Sequence, residues 1–280
     1  LRTEVLTRWD DQDAQGHVNN ASFGDYLQEA RVALMHGSPI GVLLGSGVVV
    51  VSQQLEYLAP VLYDGTPIVA DVVVGKVGAS RFDFGYVLTH GGQPVLRATT
   101  TLCPVDGNGH PKRLTGAQAE WLRSEQGPMP ELRELPMQAR TQADRSHHYA
   151  GTVRWSDLDR YDHVNNVSYL TYFQEARIAA TIAVDPTGLR MGMDHLWLVA
   201  RHDVAYLKPL AWQAGLLDIR TSIIKVGRTS LTLVSELFAD RDATEPHARS
   251  ITVLVMADLS GKPIEIGAEM REKVASWVLA

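Results

Sequence analysis

Cysteine is almost missing from this 280-residue chain, and the single thiol, Cys103, can close no internal disulfide and build no thiolate metal cage. That scarcity fits a reducing, cytoplasmic setting. Long apolar runs are missing as well: the best of them, at 47–51 and 69–74, fall far short of the roughly 20 residues that a membrane helix needs. No basic stretch followed by an apolar core opens the sequence, so neither a secretory signal nor a membrane partner is expected. A positive surplus is also missing. The formal charge of -6 and a pI near 5.9 argue against a nucleic-acid partner, which needs a basic face.

What is present is the balance of a soluble globular protein, with 45% hydrophobic and 21% charged residues, in a length that suits two domains. A duplication supports that count. Residues 8–31, RWDDQDAQGHVNNASFGDYLQEAR, and 154–177, RWSDLDRYDHVNNVSYLTYFQEAR, share 14 identities in 24 positions at an offset of 146. The register continues: Tyr57 and Pro60 match Tyr206 and Pro209 at 149, and Asp106, Gly109 and Pro111 match Asp258, Gly261 and Pro263 at 152. Insertions have collected in loops while the order of elements stayed fixed. Each copy is domain-sized, and the expected division is 1–125, a proline-rich charged linker at 126–146, and 147–280.

Periodicity gives the elements. Phe23, Tyr26, Leu27, Ala30 and Leu34 fall at helical spacing, as do Tyr169, Tyr172, Phe173 and Ala176. Ser22 and Ser168, or the asparagines before them, suit N-caps, and Gly37 suits a stop. Short strands are expected at 4–9 and 151–155 ahead of the helices. Four strand-like runs follow each helix: 48–58, 66–77, 81–90 and 94–105, then 195–207, 216–226, 229–239 and 248–259. No crossover helix separates them, so each copy reads as an α+β unit with an antiparallel meander joined by tight turns.

A sheet of about five strands wrapped round one long helix, entered through D-x-D-x-x-x-H-V-N-N and continued by Y-x-x-E-A-R, resembles the hotdog-fold acyl thioesterases. The similarity is greatest to the 4-hydroxybenzoyl-CoA thioesterase-like and acyl-ACP branches. It rests on Asp13, His17, Val18, Asn19, Asn20, Tyr26, Glu29, Ala30 and Arg31, and on Asp159, His163, Val164, Asn165, Asn166, Tyr172, Glu175, Ala176 and Arg177. The resemblance implies two tandem hotdog domains forming a pseudo-dimer within one chain, with further homo-oligomers open, because fusion makes an association intramolecular.

It also implies a hydrolase of fatty acid metabolism acting on acyl-CoA or acyl-ACP, without metal or redox cofactor. Asp13 and Asp159 are implied as nucleophile or general base, with His17 and His163 beside them. The backbone N–H groups near Asn20 and Asn166 are implied as donors to the thioester oxygen. That chemistry suits a helix start, where amide groups lack intrahelical partners and the dipole favours negative charge. Asn19, Asn165, Arg81 and Arg228 are candidate substrate contacts, the arginines through carrier phosphates. Where the acyl-ACP branch has an asparagine two residues after the acid, this chain has Gln15 and Tyr161. A non-catalytic acyl-CoA binding protein and an enoyl-CoA hydratase are the rival classes.

Simpler roles stand beside these. Asp11 and Asp157 read as turn formers, the asparagine side chains as caps, and Tyr57 and Tyr206 as strand closers. Cys103 corresponds to Val255 and reads as a buried strand residue. An EF-hand would need a bidentate glutamate at its twelfth position, where the two copies have Ser22 and Ser168.

Overall fold

A computed structural model describes residues 1–184, 195–213 and 215–279, which divide into two compact units, Leu1–Glu134 and Leu135–Ala280. The division falls inside the proline-rich linker. Unit 1 contains β1 (Arg2–Val5), α1 (Ser22–His36), α2 (Leu43–Ser46), β2 (Val48–Tyr57), β3 (Ile68–Val77), β4 (Phe82–His90), β5 (Gln93–Pro104) and α3 (Gly116–Ser124). Unit 2 contains β6 (His147–Thr152), α4 (Asn166–Val184), β7 (Leu196–Tyr206), β8 (Leu216–Val226), β9 (Ser230–Phe238), β10 (Ala248–Ala257) and α5 (Ala268–Val274). The long helices and the four long strands of each copy fall where periodicity placed them.

The strand order departs from a simple meander. In unit 1 it is β1-β3-β4-β5-β2, and in unit 2 it is β7-β10-β9-β8-β6, antiparallel throughout. Only β3-β4-β5 and β8-β9-β10 are joined as hairpins; β2 pairs with β5, so residues 58–67 carry the chain to the far side of the sheet. The first strand of each copy also lies earlier than expected, because the chain leaves it to form a 3-10 turn, Trp9–Asp11 in unit 1 and Trp155–Asp157 in unit 2. In each turn the last aspartate accepts the N–H of the arginine three residues before it and pulls the chain round. The short helices α2, α3 and α5 escaped the periodicity argument, being too brief to show a stripe.

One face of each sheet packs on its long helix. In unit 1 the helix-facing positions of β4 are Phe82, Phe84, Tyr86 and Leu88, all fully buried, with successive rings edge-on at 5.5 and 6.4 Å. The register identifies their counterparts. Thr100 lies between Gln53 and Phe84 in unit 1, and Thr252 lies between His202 and Leu233 in unit 2. Leu231, Leu233, Ser235 and Leu237 therefore occupy the places of the unit 1 ladder.

The linker is laid along the units rather than hanging between them. In unit 1, Gln126 Nε2 donates to the Gly75 carbonyl at 2.7 Å, and Met129 and Pro130 rest on Gly75 and Gly85, where a Cβ would come within 2.6 Å of them. In unit 2, the buried pair of Arg249 and Glu236, 2.8 Å apart, holds residues 137–141: Arg249 donates to the Met137 carbonyl, and Thr141 donates N–H and hydroxyl to Glu236. Among the described residues no helix is long and apolar enough to cross a membrane.

Candidate active site

The repeated cassette folds the same way twice. The first aspartate of each D-x-D pair is structural. Asp11 is 3% exposed and accepts the Arg8 N–H at 2.7 Å, the Arg8 guanidinium at 2.9 and 3.1 Å, and the Tyr26 hydroxyl at 2.7 Å. Burial alone would raise its pKa, but the Tyr26 and Arg8 bonds outweigh that and hold it below the ordinary carboxylate value. Asp157 takes the Arg154 N–H and the Tyr172 hydroxyl in the same manner. The tyrosine of the Y-x-x-E-A-R segment thus ties helix to turn. Burial, and then the bond to the aspartate, pushes both tyrosine hydroxyls far above their usual range.

The second aspartate opens a five-residue loop. The Asp13 N–H donates to the His17 carbonyl at 2.8 Å, and Asp13 Oδ1 accepts the N–H of Gln15 at 2.8 Å and of His17 at 3.3 Å. Asp159 does the same toward Tyr161 and His163, at 2.8 and 3.3 Å. Both carboxylates are only partly buried, and these bonds fall on one oxygen of each. The fourth loop position is left-handed in both copies, Gly16 at φ 77° and Asp162 at φ 58°. Aspartate is one of the few other residues that tolerates this conformation, which is how the substitution leaves the loop intact.

The loop returns beside the segment that follows the next strand. His17 lies opposite Leu62 and His163 opposite Ala211, while Val18 and Val164 donate to the carbonyls of Val61 and Leu210 at 2.7 Å. Asn19 and Asn165 then start the helices. Their side-chain oxygens accept the N–H groups of Ala21 and Val167, and their carbonyls those of Ser22 and Ser168. The asparagine side chains act as caps in this structure.

Asn20 and Asn166 lie at the helix start, and each gives its carbonyl to a tyrosine hydroxyl, Tyr57 at 2.8 Å and Tyr206 at 2.9 Å. Those tyrosines anchor the helix start, a role that sequence alone did not suggest although both copies keep them. An aromatic pair also flanks each loop: Trp9 with Tyr63, and Trp155 with Trp212, edge-on at 5.8 and 6.4 Å, with Trp9 and Trp155 about three-quarters exposed. Their signal was likewise repetition, since Trp9 and Trp155 match.

Aspartate, histidine and the two asparagines are thus gathered in one loop and helix start per unit. Arg81 and Arg228 are not gathered with them. They sit exposed in the β3-β4 and β8-β9 turns, whereas the cassette lies at the end of the sheet marked by Tyr57 and Ile68. The length of β4 separates the two ends within unit 1, about 25 Å at a strand rise of about 3.3 Å per residue. Cys103 is buried on β5, with its thiol pKa raised by burial.

The sequence profile of the thioesterase-like superfamily matches residues 7–132 and again 153–278. The chain belongs to that superfamily. Solved structures agree on a tandem hotdog fold for this superfamily member. A protein from Lactobacillus plantarum provisionally named an oleoyl thioesterase is similar at a TM-score of 0.74 and 12% identity, over 91% of this chain and 96% of that one. An acyl-ACP thioesterase from Bacteroides thetaiotaomicron gives 0.67 and 13%, over 90% and 96%. The 12:0-ACP thioesterase from Umbellularia californica gives 0.66 and 14%, over 91% and 94%. No curated protein matches the sequence.

Proposed function

We propose that this superfamily member is a cytoplasmic hydrolase of acyl thioesters, with acyl-CoA as substrate and Asp13 and Asp159 as its reacting carboxylates. The observation that carries the reading is the division of labour within each D-x-D pair. Asp11 and Asp157 are spent on tyrosine and backbone donors, while Asp13 and Asp159 are fixed through one oxygen at a partly open loop beside a helix start. Membership in the thioesterase-like superfamily supports hydrolysis in general.

On this reading a water molecule gives a proton to the carboxylate as its oxygen attacks the thioester carbon. The C–S bond then breaks, and the thiolate takes up the proton to leave as a thiol. The N–H groups of Asn20 and Asn166 hold the carbonyl oxygen as it gains charge, and His17 and His163 shape the loop and face the reacting group. Asn19 and Asn165 position the substrate through the helix starts they cap.

The test is thiol release from acyl-CoA and acyl-ACP panels by wild type, Asp13→Asn, Asp159→Asn and the double variant. The double variant is expected to lose at least about a hundredfold in kcat. A folded double variant with full activity overturns the assignment, and a folded wild type that hydrolyses no thioester overturns the function.

A further inference from the structure

We infer that Tyr57 and Tyr206 are positioning residues for the reaction: each, through a carbonyl at the helix start, sets the direction of the Asn20 or Asn166 N–H that holds the thioester oxygen. The inference rests on the hydrolysis proposed above, since the donor is the one used there.

Backbone bonds hold the helix start on both sides of Asn20. On one side, the peptide group between Asn19 and Asn20 is held by its carbonyl, which accepts the Ser22 N–H at 3.0 Å. On the other, the peptide group between Asn20 and Ala21 is gripped at both ends: its N–H donates to Asn19 Oδ1 at 2.9 Å, and its carbonyl accepts the Tyr57 hydroxyl at 2.8 Å. Peptide groups are planar, so the Asn20 N–H cannot swing without moving one of these two planes. Unit 2 repeats the pattern, with Ser168 on the Asn165 carbonyl at 3.0 Å, Val167 on Asn165 Oδ1 at 3.4 Å, and the Tyr206 hydroxyl on the Asn166 carbonyl at 2.9 Å.

Packing alone does not call for the hydroxyls. Tyr57 lies edge-on to Phe23 at 5.6 Å and Tyr206 edge-on to Tyr169 at 5.2 Å, contacts that a phenylalanine ring would keep. In unit 1 the Gly24 N–H, which would take the Asn20 carbonyl in a regular first turn, donates to the Ala21 carbonyl at 3.0 Å instead. The Asn20 carbonyl is met by Tyr57, the last residue of β2. A donor aimed at developing charge is worth most when it is held in place beforehand, and a shift of about 1 Å in such a group can cost about a hundredfold.

The experiment reads one site at a time in the full chain. Tyr57→Phe is measured in Asp159→Asn, which leaves Asp13 alone to react, and Tyr206→Phe in Asp13→Asn. Each is expected to lower kcat about tenfold with KM changed less than about twofold, because the interaction grows in the transition state. A second reading comes from Asp13→Asn/Asp159→Asn, which holds acyl-CoA unhydrolysed. The infrared carbonyl stretch of a carbon-13-labelled thioester bound there is expected below its value in water, and adding both tyrosine substitutions is expected to move it back up. Should one tyrosine variant not fold, its counterpart in the other unit carries the comparison. Unchanged kcat in folded tyrosine variants, or a stretch that they do not move, overturns the positioning role and leaves hydrolysis standing. A folded wild type that hydrolyses no thioester overturns the reading on which the role rests.

Discussion

Substituting the two aspartates of one D-x-D pair separates stability from turnover. Tyr26→Phe removes a 2.7 Å bond from a hydroxyl buried at 1% exposure to a carboxylate at 3%, a charge-assisted bond that contributes about 1.5–3 kcal/mol. The ion pair of Asp11 with Arg8 adds less than about 1 kcal/mol, because the Arg8 side chain is 63% exposed. Asp11→Asn is therefore expected to cost about 2–3 kcal/mol, most of it through the tyrosine. For a domain of this size each kcal/mol moves the melting midpoint by roughly 3–4 °C, so the transition of unit 1 should fall by roughly 6–12 °C in calorimetry. Asp13→Asn is different. Its amide oxygen can accept the same bonds from Gln15 and His17, so stability should change by less than about 0.5 kcal/mol while the activity of that site collapses. A double-mutant cycle of Asp11→Asn with Tyr26→Phe should show coupling above about 1 kcal/mol. Loss of hydrolysis in Asp11→Asn at an unchanged midpoint, or a midpoint in Asp13→Asn as low as that of Asp11→Asn, would refute this division of roles.

Acid should weaken unit 1 through the same residue. The folded-state pKa of Asp11 is depressed, so its contribution is complete above the ordinary carboxylate value and is lost as pH falls through the lower folded value; urea midpoints from pH 5 to pH 2 should fall more steeply in wild type than in Asp11→Asn. Gly16→Ala should destabilise unit 1 by about 1 kcal/mol, and Asp162→Gly should stabilise unit 2 slightly. Nothing lies within 4 Å of a Cβ at Gly16, so the calorimetric shift measures the left-handed backbone alone. Arg81→Ala is expected to leave kcat unchanged, given its place at the far end of the sheet from Asp13; a fall in kcat as large as that of Asp13→Asn would contradict that placement.

Much of this arrangement could be read from the sequence because its signals are local. Alternation and helical spacing depend on residues a few positions apart, and they placed the long strands and both long helices. The duplication then picked out Asp13, His17, Asn19 and Asn20 without reference to any partner. What escaped are pairings between distant residues. The placement of β2 beside β5, with β3 reached by a crossing, is a choice between sheet edges that the pattern of either strand leaves open. Asp11 with Tyr26 is a pair 15 residues apart, preserved as Asp157 with Tyr172, and that matched spacing was the available clue. Tyr57 with the Asn20 carbonyl is a pair 37 apart with a backbone acceptor, which no side-chain pattern records. The inequality of the helix-facing surfaces was written in Phe82, Phe84 and Tyr86 against Leu231, Leu233 and Ser235. It became visible once the register aligned them.

The linker segments bound to Gly75, Gly85, Arg249 and Glu236 bear on how this protein can be taken apart. A cut at the boundaries that composition suggests, near 125 and 146, would strip Met129 and Pro130 from two glycines and leave the Arg249 and Glu236 pair without the Met137 carbonyl and Thr141. Each half would then present a bare strip of sheet that the intact chain never shows to water. Severed between Glu134 and Leu135, both halves keep their own covering. What looks in the sequence like a tether is, for purposes of inheritance and engineering alike, two borders sewn to different cloths.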